Sequence, residues 1–188
     1  MNTTQDFLVA LGSNLPAGAD TPSLTLRKAI EMLSSEGIDV VAESRFFHTP
    51  CFPEGAGPDY VNAALLCRTD LSPKEILQLL HKVESSFGRV RTSRWAGRTL
   101  DLDLIAVDNH ILPDRTTVQH WIDLPISAQM EVAPEQLILP HPRMQDRAFV
   151  LIPLRDIAPG WKHPILGRTV AELCADLPED ARNAVVPL

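Results

Sequence analysis

The sequence predicts an α/β (α+β) domain in the order β-α-β, β-α-β, a small sheet with helices packed against one face. Three observations lead there: short apolar runs bounded by turn residues, amphipathic segments opened by capping signals, and a globular composition. The 188 residues suit one domain spanning 1–188, and 45% hydrophobic with 22% charged residues excludes wholesale disorder.

Phe7 to Leu11 is an apolar run stopped by Gly12-Ser13-Asn14, which predicts a buried strand and a turn. Thr21 followed by Pro22 opens a helix, because proline at the first helical position gives up a donor that has no partner there. Leu26, Ile30 and Leu33 share one face of that helix, and Gly37 ends it. Ile38 to Phe47 reads as a strand, and His48 to Asp59, with Pro50, Pro53, Gly55, Gly57 and Pro58, as a loop. Tyr60 to Arg68 resumes as a strand. Ser72-Pro73-Lys74-Glu75 is a capping box, after which Ile76, Leu79, Leu80, Val83 and Phe87 mark a helix face closed by Gly88. Leu100 to Val107 is a further strand, and 109–136 is less regular, with three prolines. Beyond Pro140 a helix is expected around Gln145 to Ile152, and another at the capping box Thr169 to Glu172.

The net charge of −7 argues against a nucleic-acid partner, since an acidic chain repels a phosphate backbone. Any phosphate it binds must be met by a local basic cluster or a metal. No apolar run approaches the ~20 residues that cross a bilayer, and Met1 to Asp6 lacks the order of a signal peptide. Three cysteines, odd in number and far apart, suit thiols in a reducing compartment. A soluble cytoplasmic protein is expected, without membrane or nucleic-acid partners and monomeric.

Asp101-Leu102-Asp103-Leu104 carries the chemistry. On a strand both aspartates project to one side and both leucines to the other. Two carboxylates on one face repel unless a cation lies between them, and magnesium prefers hard oxygen ligands completed by substrate phosphates. The bland reading is a solvated strand face. Arg89, Arg91, Arg94 and Arg98, interleaved with Trp95 and with no acidic residue among them, run directly into that pair. Such a segment suits triphosphate, because arginine forks bind phosphate oxygens in bidentate fashion.

Gly88-Arg89-Val90-Arg91, Arg94-Trp95 and Arg98-Thr99-Leu100-Asp101-Leu102-Asp103-Leu104 together resemble the signature of the 6-hydroxymethyl-7,8-dihydropterin pyrophosphokinase family. The likeness extends to Leu11-Gly12-Ser13-Asn14-Leu15, to Pro58 through Ala64, and to Leu139-Pro140-His141-Pro142-Arg143 with Arg147-Ala148-Phe149-Val150-Leu151. The resemblance implies a ferredoxin-like βαββαβ sandwich with long mobile loops and C-terminal helices. It implies transfer of diphosphate from ATP, the co-substrate, to a pterin alcohol in folate biosynthesis, with two Mg2+ ions and release of AMP.

By the same resemblance, Asp101 and Asp103 are expected to ligate the metals, and Arg89 and Arg98 to contact phosphates. Arg91 and Trp95 would lie on a closing loop, and Tyr60 and Phe149 would sandwich the pterin. Asn62 would read its edge, with Thr49 and Pro50 bordering the pocket. Glu84, Leu104, His141 and Arg147 would lie on the nucleotide side. Other readings stand beside these: Tyr60 and Phe149 as core aromatics, His141 as a turn residue, and Glu84 as a solvated position. Against the family pattern, 109–136 is an expanded loop or hairpin insertion, and Gln136, Ile138 and His81 depart from familiar residues. Two alternatives remain for the whole chain: another magnesium-dependent nucleotidyl or phosphoryl transferase, or a non-catalytic ferredoxin-like binding module.

Overall fold

The apolar run at Phe7 extends into strand β1 (Gln5–Ser13), which lies between β4 (Tyr60–Thr69) and β5 (Asp101–Val107), antiparallel to both. The computed structural model describes residues 4–51, 57–88, 99–125, 128 and 132–188. The sheet runs β5-β1-β4-β3-β6, where β3 is Phe47–Thr49 and β6 is Val186–Pro187; β2 (Asp39–Glu43) also pairs with β4.

Side chains of β1 alternate between two cores. Phe7, Val9 and Leu11 pack with Leu26, Ile30 and Leu33 of α1 (Pro22–Ser35) and Ile76, Leu80 and Val83 of α2 (Pro73–Ser86). Leu8 and Ala10 face the opposite core, with Val150, Leu151 and Leu154 of α4 (Ala148–Ile157) and Val170, Leu173 and Cys174 of α5 (Val170–Asp176). Helices therefore cover both faces of the sheet, which corrects the one-face expectation. The reason is legible in β1 itself: a strand apolar at successive positions needs burial on both sides.

The capping signals act as expected. Leu24 N–H donates to Thr21 Oγ1, and both capping boxes, Ser72 with Glu75 and Thr169 with Glu172, are formed.

Three boundaries differ. The strand expected over Ile38 to Phe47 breaks into β2 and β3 because Ser44 Oγ, a side-chain atom, accepts the Ala64 N–H at 2.8 Å. His48 and Thr49 belong to β3, paired with Val61 and Tyr60, so the expected loop starts later. The helix expected around Gln145 is a 3-10 turn (Met144–Asp146) followed by α4.

The stretch 109–136 carries helix α3 (Arg115–Asp123), capped by Asp114, which accepts from Thr117 N–H at 2.9 Å. Its base is pinned by paired backbone hydrogen bonds between Leu112 and Leu139. A short helix α6 (Glu179–Asn183) precedes β6, which closes the outer edge of β3. Among the described residues, no helix is long and apolar enough to cross a membrane.

Leu80 is fully buried between α2 and the sheet. Leu80→Ala is expected to destabilise the fold by about 2–5 kcal/mol, read as a lower urea midpoint with an unchanged slope.

Candidate active site

Register brings the site residues onto one face. Gly12 of β1 pairs with Asp101 on one side and Asn62 on the other, and Ala10 likewise lies between Asp103 and Ala64. Paired residues point the same way, so Asp101, Asp103, Asn62 and Tyr60 share the face on which α4 packs. Asp101 and Asn62 lie two strand spacings apart, about 10 Å between backbones. Leu102 and Leu104 point oppositely, into the core with α2. Leu104, expected on the nucleotide side, is 4% exposed, so only its main chain is left to face a ligand.

A bulge adjusts this strand. Leu8 and Val9 oppose Ala106 and Leu104, which leaves Ile105 as an extra residue of β5. The Ile105 carbonyl accepts the His141 N–H at 2.8 Å, so the bulge seats the Pro140-His141-Pro142 segment beside the aspartate strand.

Gly12 makes the cleft possible. A Cβ built there would stand 3.0 Å from Asn62 Oδ1 and 3.8 Å from the Tyr60 ring. Asn62 is buried, and its Nδ2 donates to Thr49 Oγ1 at 2.7 Å, which fixes the amide with its oxygen toward Gly12. Thr49 therefore contributes its side chain as well as its backbone. Pro50 beside it is exposed, and Tyr60 is half-buried.

Helix α4 supplies the opposite wall. Arg147 stands just before its first turn, with Nη1 3.6 Å from Asp103 Oδ2 and its guanidinium 5.7 Å from the centre of the Phe149 ring. Phe149 is 40% exposed, which sets aside its reading as a core aromatic. The part-exposed Arg147–Asp103 pair contributes on the order of 0–1 kcal/mol, weak enough for a stronger cation to displace.

His141 is held neutral. Burial and then the positive charge of Arg147, with a further contribution from Arg143, lower its pKa to about 3. Arg143 N–H donates to His141 Nδ1 at 3.1 Å, so the ring proton belongs on Nε2. Glu84, weighed as a solvated position, is 2% exposed, and its Oε1 accepts the Leu102 N–H at 2.8 Å.

Arg89, Arg91, Trp95 and Arg98 lie outside the described residues. The motif residues Ser13 and Asn14, expected only as part of a turn, have structural roles, and Ser13 belongs to β1. Ser13 Oγ donates to the Thr99 carbonyl at 2.6 Å, and Asn14 Nδ2 to the Pro58 carbonyl at 3.0 Å. The available signal was two small polar residues directly after an apolar strand.

Residues 8–159 match the family model for 7,8-dihydro-6-hydroxymethylpterin-pyrophosphokinase (HPPK). The chain belongs to this family. It is 39% identical over 167 residues to the 2-amino-4-hydroxy-6-hydroxymethyldihydropteridine pyrophosphokinase of Synechocystis sp., covering 88% of this chain and 73% of that one. The pyrophosphokinase of the same name from Pseudomonas aeruginosa is 36% identical, with 93% of each chain covered. Among solved structures, an HPPK-DHPS in complex with substrates shares the fold at a TM-score of 0.64 and 12% identity. That match covers 91% of this chain, which spans 43% of the solved one. The wild-type Plasmodium falciparum HPPK-DHPS matches at a TM-score of 0.61 and 13% identity, over 93% of this chain and 45% of that one. This HPPK-family chain is accordingly an enzyme, a pyrophosphokinase.

The histidine environments give a pH prediction. His163 is fully buried, and burial lowers its pKa to about 4, so neither it nor His141 should titrate between about pH 5 and 8 in NMR spectra. Unfolded histidine takes up a proton near pH 6.5, so the unfolded chain binds more protons below that pH. The stability these neutral rings confer is complete above about pH 6.5 and falls as pH drops toward 4, which denaturant melts across that range would register.

Proposed function

We propose that this chain transfers the terminal diphosphate of ATP to the hydroxymethyl oxygen of 6-hydroxymethyl-7,8-dihydropterin and releases AMP, a step of folate biosynthesis. The reading rests on one arrangement: Asp101, Asp103, Tyr60 and Asn62 share a sheet face to which α4 brings Arg147 and Phe149. The sheet order, with β4 inserted between β1 and the β2/β3 edge, supports a ferredoxin-like βαββαβ sandwich.

The donor set fits magnesium. Two carboxylates two residues apart on one face offer hard oxygens, and the guanidinium beside Asp103 marks a place where negative charge attracts a cation. Magnesium takes one or two carboxylates and fills its shell with phosphate oxygens and water. Two Mg2+ ions bound there would neutralise charge on the attacking and leaving oxygens.

The protein's own groups do the positioning. Asn62 presents its amide oxygen to the pterin edge, and its bond to Thr49 keeps that orientation. Tyr60 and Phe149 offer aromatic faces for a flat heterocycle. Arg147 and the neutral His141, a donor through Nε2, would serve the triphosphate; by the family resemblance Arg89 and Arg98 would contact phosphates, and Arg91 and Trp95 would belong to a closing loop. In the reaction a bond forms between the hydroxymethyl oxygen and the β-phosphorus. The bond from that phosphorus to the α–β bridging oxygen breaks, AMP departs, and the hydroxyl proton passes to solvent. Little acid–base chemistry is needed, because phosphoryl transfer depends chiefly on alignment and charge. A cytoplasmic location agrees with Cys51, Cys67 and Cys174 being buried thiols, that of Cys67 pushed up to about 12 by burial.

Incubation with ATP, magnesium and the pterin alcohol should yield AMP and pterin diphosphate in equal amounts; ADP or free pyrophosphate as the product would overturn the proposal. Asp103→Ala should lower turnover about a hundredfold or more with an unchanged circular dichroism spectrum, and near-normal turnover at saturating magnesium would sink the metal assignment. Gly12→Ala, which crowds Asn62 Oδ1, should weaken pterin binding about tenfold in calorimetry while leaving nucleotide binding within about twofold.

A further inference from the structure

Asp101 opens strand β5, where an edge strand is most prone to fray. Among the described residues, β5 pairs only with β1, and the Asp101–Gly12 pair is the last of that ladder. Two side chains from elsewhere grip the backbone around it. Glu84, on the last turn of α2, reaches across the outer edge and accepts the Leu102 N–H at 2.8 Å. On the other side Ser13, fully buried at the end of β1, donates to the Thr99 carbonyl at 2.6 Å. The two grips bracket Leu100-Asp101, and the fully buried Leu100 side chain prevents this stretch from rolling.

A carboxylate 2% exposed is out of place unless hydrogen bonds replace its lost water. The bond to Leu102 gives Glu84 a function there: the peptide it holds joins Asp101 to the residue before Asp103. Magnesium tolerates little departure from octahedral geometry, so the ligand backbone must be held to within about half an ångström. We propose that Glu84 and Ser13 are positioning residues that fix the main chain of Asp101 for cation binding; this rests on the reading of Asp101 and Asp103 as metal ligands.

The test measures Mn2+ binding by electron paramagnetic resonance with a non-hydrolysable ATP analogue, on the full chain, with thermal melts to confirm folding. Glu84→Ala should weaken Mn2+ binding about ten- to a hundredfold, as is usual when a residue supporting a metal ligand is lost. Glu84→Gln keeps an acceptor oxygen for Leu102 N–H and should stay within about threefold of wild type. Ser13→Ala should weaken binding about tenfold, and it carries the test with Glu84→Gln if Glu84→Ala does not fold. Wild-type Mn2+ affinity in folded Glu84→Ala or Ser13→Ala would overturn the proposal. So would a Glu84→Gln as impaired as Glu84→Ala, because then the charge of Glu84, and not its grip on Leu102, is what matters. Asp101→Asn serves as the control: undiminished Mn2+ binding there would overturn the metal reading itself, a failure distinguishable from the other two.

Discussion

Strand β1 sits between two antiparallel ladders, and its nine residues serve three tasks at once. Odd-numbered apolar positions bind α1 and α2 to one face, even-numbered ones bind α4 and α5 to the other, and Gly12, next to the strand's end, leaves room where a side chain would crowd Asn62. Because side chains alternate with a period of two, a slip of one residue in the β1–β5 ladder would send Asp101 and Asp103 into the core with α2. Such a slip would place two carboxylates among Leu80, Val83 and Leu100, at a cost far beyond what the fold could offset. The burial pattern of β1 and the geometry of the carboxylate pair are thus one constraint.

Charge is handled locally in a chain whose net charge is −7. The acidic pair has Arg147 beside it, and the same arginine helps to keep His141 neutral and lies against the Phe149 ring. One guanidinium thereby lies beside a carboxylate and an aromatic face and acts through its charge on an imidazole. Its pair with Asp103 is weak because both partners reach solvent, which leaves the carboxylate open to exchange one cation for another.

Local signals in the sequence were read correctly where the physics is local. Thr21, Ser72 and Thr169 cap the helices expected of them, since a side chain and an N–H three residues away meet without help from the rest of the chain. The break at Ser44 and the extra residue Ile105 are not legible in the sequence, because each depends on a partner strand: β4, through Ala64, in one case and β1 in the other. Helix α3 has no clear signal in the sequence, because its Asp114 cap stands among the prolines of 109–136. The successive apolar positions of β1 imply cover on both faces, but which helices supply the second cover depends on packing across the sheet, which local sequence does not carry.

The sequence by itself determined the Asp-x-Asp alternation and the arginine-rich approach to it, carried by residues close together in the chain, and the family, carried by short local motifs in a fixed order. Only the tertiary structure decided what those residues meet. Asn62 lies beside Gly12 and bonds Thr49, Arg147 approaches Asp103, and Glu84, expected on the nucleotide side, is buried and accepts the Leu102 N–H. The reason is physical: alternation and capping act over two to four residues, whereas register and burial are set by strands and helices tens of residues apart.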